Sequence, residues 1–376
     1  MLSGLLGVRL LLWIGKTIPR PASYEVMQAF TGAEVITDVD QPGDGFQLSF
    51  TIGKTKRGEY GLLKSGALDH GSRVVIGVLM GATLEPLING VVFHQQVSPG
   101  DRPGTSTLTV SGRDVSVMLD LEKKDDAFTN HRDSDIVKSI LANYVRFGIR
   151  PPYDDVTRTA DTPPEIERIP RQRETDLACI RRLAKDNGFV FFIEPVTMGL
   201  NRAYWGPENR IGLPQPALSH DLGSATNVRN LRVMNDALAP IQAKGTYLDP
   251  MTKTRIPIPP LPSLRLPLLT TSQVSARRTE RLRCTANRNP ARAVSALVAE
   301  VTGAPEAITV EGELDAVRYG RVLRPRRLVG VRGVGRSYNG DYFVRRVTHR
   351  IQRGVYTQTF KLSRGGTGAV APGMRT

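Results

Sequence analysis

The sequence predicts a mainly β protein that carries an α+β insert, and three observations support this fold class. The 376 residues include 36 glycines and 26 prolines, which favours many turns between short strands. Residues 1–110 and the chain from Ala307 onward consist of short apolar or alternating runs. Residues 111–200 instead contain two helical patterns followed by an apolar strand. An apolar fraction of 40% is enough for packed cores and excludes a wholly disordered chain.

Short strands are predicted in the first 110 residues. Val8–Ile14 is expected to be a buried strand, because its length and the charge of Arg9 suit neither a membrane span nor a signal peptide. Phe46–Ile52 alternates, which places its four apolar residues on one face. Arg73–Leu79 and Val91–Val97 are further strand candidates. Strands at this spacing are typical of a small barrel or sandwich.

Two helices and a strand are predicted in the insert. Asp133–Phe147 has an apolar stripe at helical spacing and is followed by Gly148. Thr175–Asn187 has a second stripe, and Gly188 suits the left-handed residue that ends many helices. The chain then enters an apolar strand, so that helix, glycine and strand form a small α/β unit.

The C-terminal part begins with a connector and ends in a hairpin. Ile256–Leu269 has five prolines and is expected to be a loop or a semi-rigid connector. Asn289 followed by Pro290 predicts the start of a third helix. Its buried stripe is expected to consist of Val294, Leu297, Val298 and Val301. Tyr342–Ile351 and Val355–Leu362 flank a Gln-Arg-Gly turn, which indicates a hairpin.

Arginine dominates the positive charge. The chain has 51 Lys+Arg against 36 Asp+Glu, a formal net charge of +15. Residues 318–336 hold seven arginines and no acid, and residues 277–292 hold six arginines with one acid. Arginine binds carboxylates and phosphates with two donors, so these runs suit an acidic protein or a polyanion, or else a solvated β surface. The residues proposed to contact a partner are Arg318, Arg321, Arg324, Arg326 and Arg327.

No motif predicts a catalytic, cofactor or metal site. The two IGKT tetrapeptides lack the preceding glycine that a phosphate-binding loop needs. The five histidines are isolated from one another along the chain, and Cys179 lies on an apolar helix stripe, where a packed thiol is expected. Paired carboxylates occur, as at Glu174 and Asp176, but an acid in the first turn of a helix is common. Two cysteines exclude a disulfide scaffold and are compatible with a reducing cytoplasm.

Three segments together resemble a known family. They are VSGRDVSVMLD (Val110–Asp120), IPRQRETDLACIRRLAKDNGFVFFIE (Ile169–Glu194) and YNGDYFVRRVTHRIQRGVYTQTFKLSR (Tyr338–Arg364). Their order and spacing resemble the baseplate or tail hub proteins of contractile phage tails, the late control protein D family. They are also similar to the hub part of type VI secretion spike proteins. The resemblance extends from about Pro19 to Arg364.

The resemblance implies a structural protein without enzymatic activity. Such hubs are homotrimers with two related β-barrel domains, so that three subunits join the sixfold tail tube to the threefold spike. The implied division is a first barrel at 1–110, an α/β insert at 111–200, a segment at 201–270 that completes the barrels, a second barrel at 271–364 and a flexible tail at 365–376. The implied partners are the tail tube, a separate spike protein and other baseplate proteins, with DNA only as passing cargo and no membrane span. The implied location is the virion tail baseplate or a phage-like particle, assembled in the bacterial cytoplasm.

Two alternatives stay open from the sequence. The arginine runs allow a nucleic-acid-binding β-barrel protein, although stacking aromatic residues are few beside them. A hub with wall-hydrolase activity is the other. The choice among phage, bacteriocin and extracellular injection particle is not made by this chain.

Overall fold

Antiparallel strands are the main elements of the first 110 residues, where the sequence predicted short strands. The computed structural model describes residues 8–40, 43–55, 58–149, 155–163, 169–249, 252–282 and 289–370. The elements of the N-terminal half are β1 (Arg9–Gly15), β2 (Arg20–Pro21), α1 (Tyr24–Ala29), β3 (Phe30–Asp38), β4 (Gly45–Ile52), α2 (Gly61–Lys64), β5 (Arg73–Met80), β6 (Thr83–Ser98) and β7 (Ser106–Asp114). All four apolar residues of β4 are buried, which confirms the predicted one-sided strand. β1 is also a strand, but only Leu12 is buried in it, because β1 lies near the end of the sheet beside the two-residue β2.

The insert follows β7 and has its own core. Its elements are a 3-10 turn (Val115–Leu119), β8 (Asp126–Ala127), α3 (Asp133–Ala142), a second 3-10 turn (Val145–Phe147), β9 (Arg171–Gln172), α4 (Asp176–Asn187), β10 (Val190–Thr197) and β11 (Leu200–Gly206). α4 is confirmed with its ends: the Thr175 hydroxyl accepts from the Ala178 N–H at 3.2 Å, and Gly188 has φ 69°. α3 ends five residues earlier than predicted, because Tyr144 leaves the helix and its hydroxyl donates to Asp176 at 2.7 Å.

Trp205 is the centre of the insert core. Its side chain is fully buried, and its indole N–H donates to the Ile180 carbonyl of α4 at 3.2 Å. The ring of Phe189 meets it edge-on at 4.9 Å between centroids. Trp205 of β11 therefore contributes its ring to the apolar core that the hairpin shares with α4, and its polar N–H is satisfied by that helix.

The C-terminal half contains the remaining elements. They are β12 (Gln215–Ser219), a 3-10 turn (Gly223–Ala225), β13 (Val228–Asn235), β14 (Ile241–Leu248), β15 (Arg255–Ile258), β16 (Thr270–Gln273), β17 (Arg278–Arg281), α5 (Pro290–Gly303), β18 (Ile308–Asp315), α6 (Ala316–Tyr319), β19 (Leu328–Arg332), β20 (Gly340–Gln352), β21 (Val355–Arg364) and β22 (Gly366–Ala369). The β20–β21 hairpin is confirmed. The start of α5 is confirmed as well, since the Asn289 side chain accepts from the Arg292 N–H at 2.9 Å.

Three expectations for the C-terminal half differ from the structure. The buried residues of α5 are Ala293, Ala296, Leu297 and Thr302, so Leu297 is confirmed, while Val294 is exposed, because α5 packs against β14 and α4 with another part of its surface. The predicted connector is not an unpaired loop throughout, since Ile256–Ile258 belongs to β15 and pairs with β14. The tail expected to be flexible begins with β22, which pairs with β16; residues 371–376 lie outside the described residues.

One hydrogen-bonded sheet of thirteen strands joins the two halves. Its order is β13-β18-β21-β20-β3-β4-β7-β6-β5-β1-β2, with β19 and β12 attached beside β20. The long strand β20 makes the connection, because its first residues pair with β19 and its last seven pair with β3. The mainly β fold with an α+β insert is thus confirmed. Among the described residues no helix is long and apolar enough to cross a bilayer.

Candidate functional site

The two halves of the sheet repeat the same strand order. The N-terminal half runs β3-β4-β7-β6-β5-β1, and the C-terminal half runs β13-β18-β21-β20-β19-β12. Each list has the same order along the chain, and a four-residue helix follows the second strand in both halves (α2 and α6). They differ at the end, where β1 is antiparallel to β5 but β12 is parallel to β19. The shared order indicates a duplicated unit.

Two backbone irregularities occur at equivalent places in both halves. The β6–β7 ladder has a register shift after Val92, and the β20–β21 ladder has one after Val344. Val92 exchanges backbone hydrogen bonds with Gly71 and Ser72, and Val344 does so with Arg326 and Arg327. Gly71 and Arg326 both have positive φ, 81° and 63°. β-bulges and left-handed residues are specific local features, so their coincidence supports the duplication at residue level.

The edge between the halves is closed by β20 and β3. Arg346 lies opposite Asp38, with Nε 2.6 Å from Oδ2, and Arg350 lies opposite Glu34, with Nε 3.0 Å from Oε2. Both arginine side chains are about half exposed to solvent. Each ion pair therefore contributes little to the free energy of folding by itself. Backbone pairing and apolar contacts therefore make the joint, and the charges favour its register.

The described sheet has several open strand edges, and two of them belong to β6 and β13. β6 is paired with β5 only up to Val91, so its segment His94–Ser98 is paired on the β7 side alone. β13 is paired with β18 alone. Unpaired strand edges are sites where another chain can add a strand.

Arg326 lies at the point where three parts of the chain meet. Its side chain is 7% exposed and donates to the Asp38 carbonyl at 2.9 Å and to Asp44 Oδ1 at 2.7 Å. The guanidinium carbon is 4.1 Å from the centroid of the Phe192 ring in the insert. Arg326 thus connects the C-terminal half to the β3–β4 turn and to β10.

Arg324 makes a second internal connection. Its guanidinium donates to the Pro86 carbonyl at 2.6 Å and bonds to the Glu85 carboxylate, both in β6. Its backbone N–H donates to Gln215 Oε1 at 2.8 Å. The structure therefore separates the five arginines proposed from the sequence: Arg324 and Arg326 bind within the chain, and Arg318, Arg321 and Arg327 are exposed.

The second arginine run is divided in the same manner. Arg292, in the first turn of α5, binds Asp133 at 2.7 Å and Asp161 at 2.8 Å, and so attaches the helix to the insert. Arg277, Arg278 and Arg281 are exposed. Arg283 and Arg288 lie outside the described residues.

A buried ionic cluster lies beneath the sheet joint, and the sequence did not reveal it. Glu208 accepts from Arg210 at 2.9 Å, Arg265 at 3.2 Å and Arg345 at 3.0 Å. Arg210 also binds both carboxylate oxygens of Glu306 at 2.9 Å. Burial opposes ionisation of Glu208, yet the three arginines hold its pKa at about 2. Apart from Glu208 and Arg210, which are two residues apart, these residues come from distant segments, so no spacing rule relates them.

The loop after Arg210 presents two apolar side chains to solvent. Ile211 is 80% exposed and Leu213 is 97% exposed. Glu208 and Arg210 anchor the loop from below, and Asn209 Oδ1 accepts from the Ile211 N–H at 3.0 Å. Exposed apolar residues on an anchored loop are typical of contact sites. The sequence did not point to this loop.

Cys179, Asp176 and Glu174, which the sequence raised as candidates for catalysis, are buried or bound to neighbouring side chains. Burial raises the pKa of Cys179 to about 11, which disfavours the reactive thiolate. Asp176 is buried and accepts from Lys124, Tyr144 and Gln172. Glu174 binds Arg182 at 2.6 Å. Within the described ranges, no group of three metal-ligating side chains comes together.

Comparisons with known proteins agree on a tail protein fold. Residues 70–204 match the family model of the phage tail baseplate hub (GPD). No curated protein matches the chain. The fold is similar to the tail protein from Neisseria meningitidis MC58, with 14% identity, a TM-score of 0.63, and coverage of 95% of this chain and 96% of that one.

Two further solved structures have a similar fold. The 43 kDa tail protein of prophage MuSo2 from Shewanella oneidensis has 14% identity and a TM-score of 0.60, with coverage of 96% of this chain and 99% of that one. The E. coli c3393 protein, a component of the type VI secretion system, has 12% identity, a TM-score of 0.50 and coverage of 98% and 78%. The family model includes the first two of the three sequence segments and confirms the resemblance there, and the solved structures are similar in fold.

Proposed function

We propose that the protein is a structural hub of a contractile tail or injection particle, a homotrimer that joins a sixfold tail tube to a threefold spike. The observation that carries the proposal is the duplicated half-sheet in a chain whose residues 70–204 match a baseplate hub model. Three copies of a chain with two equivalent halves offer six equivalent units. Such a ring can meet a sixfold partner on one face and a threefold partner on the other.

The exposed features suit protein partners. Ile211 and Leu213 offer an exposed apolar surface to a partner, on a loop that the buried Glu208–Arg210 pair anchors. Arg318, Arg321 and Arg327 stay the proposed contacts for acidic surfaces of the tube, the spike or another baseplate protein. The role is structural rather than enzymatic, and the location is the tail baseplate.

The mass in solution tests the proposal. Light scattering over a dilution series is expected to give about three times 41.3 kDa. If the free protein is a monomer, the measurement is repeated with the spike protein of the same particle, because hubs of this kind can require the spike to trimerise. A monomer or dimer under both conditions would refute the adaptor role.

A further inference from the structure

We propose that the open edge of β6 in one copy pairs antiparallel with β13 of the neighbouring copy. This pairing would repeat, between chains, the β20–β3 joint that connects the two halves within one chain. The inference rests on the proposed trimer and specifies its contact. It follows from the duplication, because β6 has the place of β20 and β13 has the place of β3.

The register of the pairing follows from the ladders. In both halves a residue just before the β-bulge starts a line of cross-strand neighbours. The two lines are Val92–Gly112–Phe46–Val35 and Val344–Leu362–Val310–Val233. Val35 and Val233 are therefore equivalent. His349 lies opposite Val35 within the chain, so Val97 is expected opposite Val233 of the neighbour.

A turn outside these ladders supports the same register. In this register Asp236, which directly follows β13, is equivalent to Asp38, which ends β3. Asp38 Oδ1 accepts from the backbone N–H two residues later at 2.9 Å, and Asp236 Oδ1 does the same at 2.8 Å. This hydrogen bond is an Asx turn and depends on the local residue type. Two independent features thus give one alignment.

The side chains at the expected contact are complementary. His94 would lie opposite Asp236, where the joint within the chain has Arg346 opposite Asp38. Both His94 and Asp236 are exposed in the single chain. Val97 and Val233 are partly buried, and both pack against the main core from the open edges. Pairing would cover these valines and place a basic ring opposite a carboxylate.

The arrangement closes as a ring. The contact joins two different strands, β6 of one copy and β13 of the next, so it is head-to-tail. Such contacts generate closed rings when the rotation from one copy to the next divides a full turn. Three joints within chains and three between chains would then be equivalent. Every open edge considered above would be covered, which also protects the sheet from aggregation.

Disulfide cross-linking tests the register. Gln96 is expected opposite Met234, because the equivalent Thr348 lies opposite Ile36. Facing residues of antiparallel strands have Cα atoms about 4.5–5.5 Å apart, within the range of a disulfide. The double variant Gln96→Cys/Met234→Cys is oxidised, and its chains are separated by denaturing electrophoresis. Most of the protein is expected to migrate as a covalent trimer that reducing agent converts to monomer.

The matched control moves one cysteine by a single residue. Gln95→Cys/Met234→Cys has its two side chains on opposite faces of the sheet, so it is expected not to cross-link. The single variants account for Cys179 and Cys284. A trimer by light scattering that fails to cross-link, or that cross-links equally in the control, overturns the pairing and leaves the hub proposal intact. A protein that stays monomeric with the spike present overturns both.

Discussion

Replacing Arg326 by methionine is expected to destabilise the protein strongly, although Arg326 lies in a run that resembles a solvated basic surface. The guanidinium donates to Asp44 at 2.7 Å and to the Asp38 carbonyl at 2.9 Å, and it covers the Phe192 ring. Methionine retains part of the apolar volume but none of the donors. Asp44 would then be a buried carboxylate without its cation.

The magnitude follows from the burial of both partners. Breaking a buried ion pair by removing one partner costs about 3–5 kcal/mol, because the remaining charge is uncompensated. Asp114 adds to this cost: burial and the nearby Asp44 raise its pKa to about 7, and Arg326 opposes that rise. We therefore expect the free energy of unfolding at pH 7 to fall by about 3–5 kcal/mol.

Urea unfolding followed by tryptophan fluorescence measures the effect, since Trp13 and Trp205 report on the first half and the insert. The matched control is Arg327→Met, whose side chain is exposed and whose expected change is within about 0.5 kcal/mol. Adding Asp44→Asn to Arg326→Met is expected to recover part of the loss by removing the orphaned charge. A loss below about 1 kcal/mol for Arg326→Met, or no recovery with Asp44→Asn, would refute the reasoning.

Two further outcomes are expected. Glu208→Gln should cost about 3–5 kcal/mol at pH 7 by leaving its arginines short of a carboxylate. Because the folded-state pKa of Glu208 is about 2, below its usual value, this stabilisation is complete above pH 4.5 and is lost as the pH falls towards 2. Urea midpoints of variant and wild type should therefore converge in acid, and a constant difference would contradict the assignment. Ile211→Ser/Leu213→Ser should leave the melting temperature unchanged and weaken trimer or spike binding in light scattering; unchanged assembly would show that the loop is not a contact.

Local patterns were sufficient for much of the secondary structure. The alternation of β4, the capped helix α4, the Asn-Pro start of α5 and the β20–β21 hairpin depend on neighbouring residues, and the sequence contains those residues. The stripe of α5 was predicted in part: Leu297 is buried and Val301 packs against the same core, but Val294 is exposed, because the elements that pack against the helix select its buried face. The three segments that resemble hub proteins were also local, and the family match over 70–204 includes the first two of them.

The candidate site depends on contacts that the sequence does not order. Arg324 and Arg327 are three residues apart, yet one binds β6 and the other faces solvent, because the strand of the other half passes only one of them. The cluster of Glu208, Arg210, Arg265, Glu306 and Arg345 combines segments up to 137 residues apart.

By itself the sequence determined the mainly β class, the insert, the three longer helices, the β20–β21 hairpin and the family resemblance, since these rest on spacing along the chain. The tertiary structure alone decided which arginines are internal, which strand edges stay open and how the two halves correspond. The physical reason is that hydrogen-bonded ladders and buried ion pairs join residues far apart in sequence, and only the folded chain defines those neighbours.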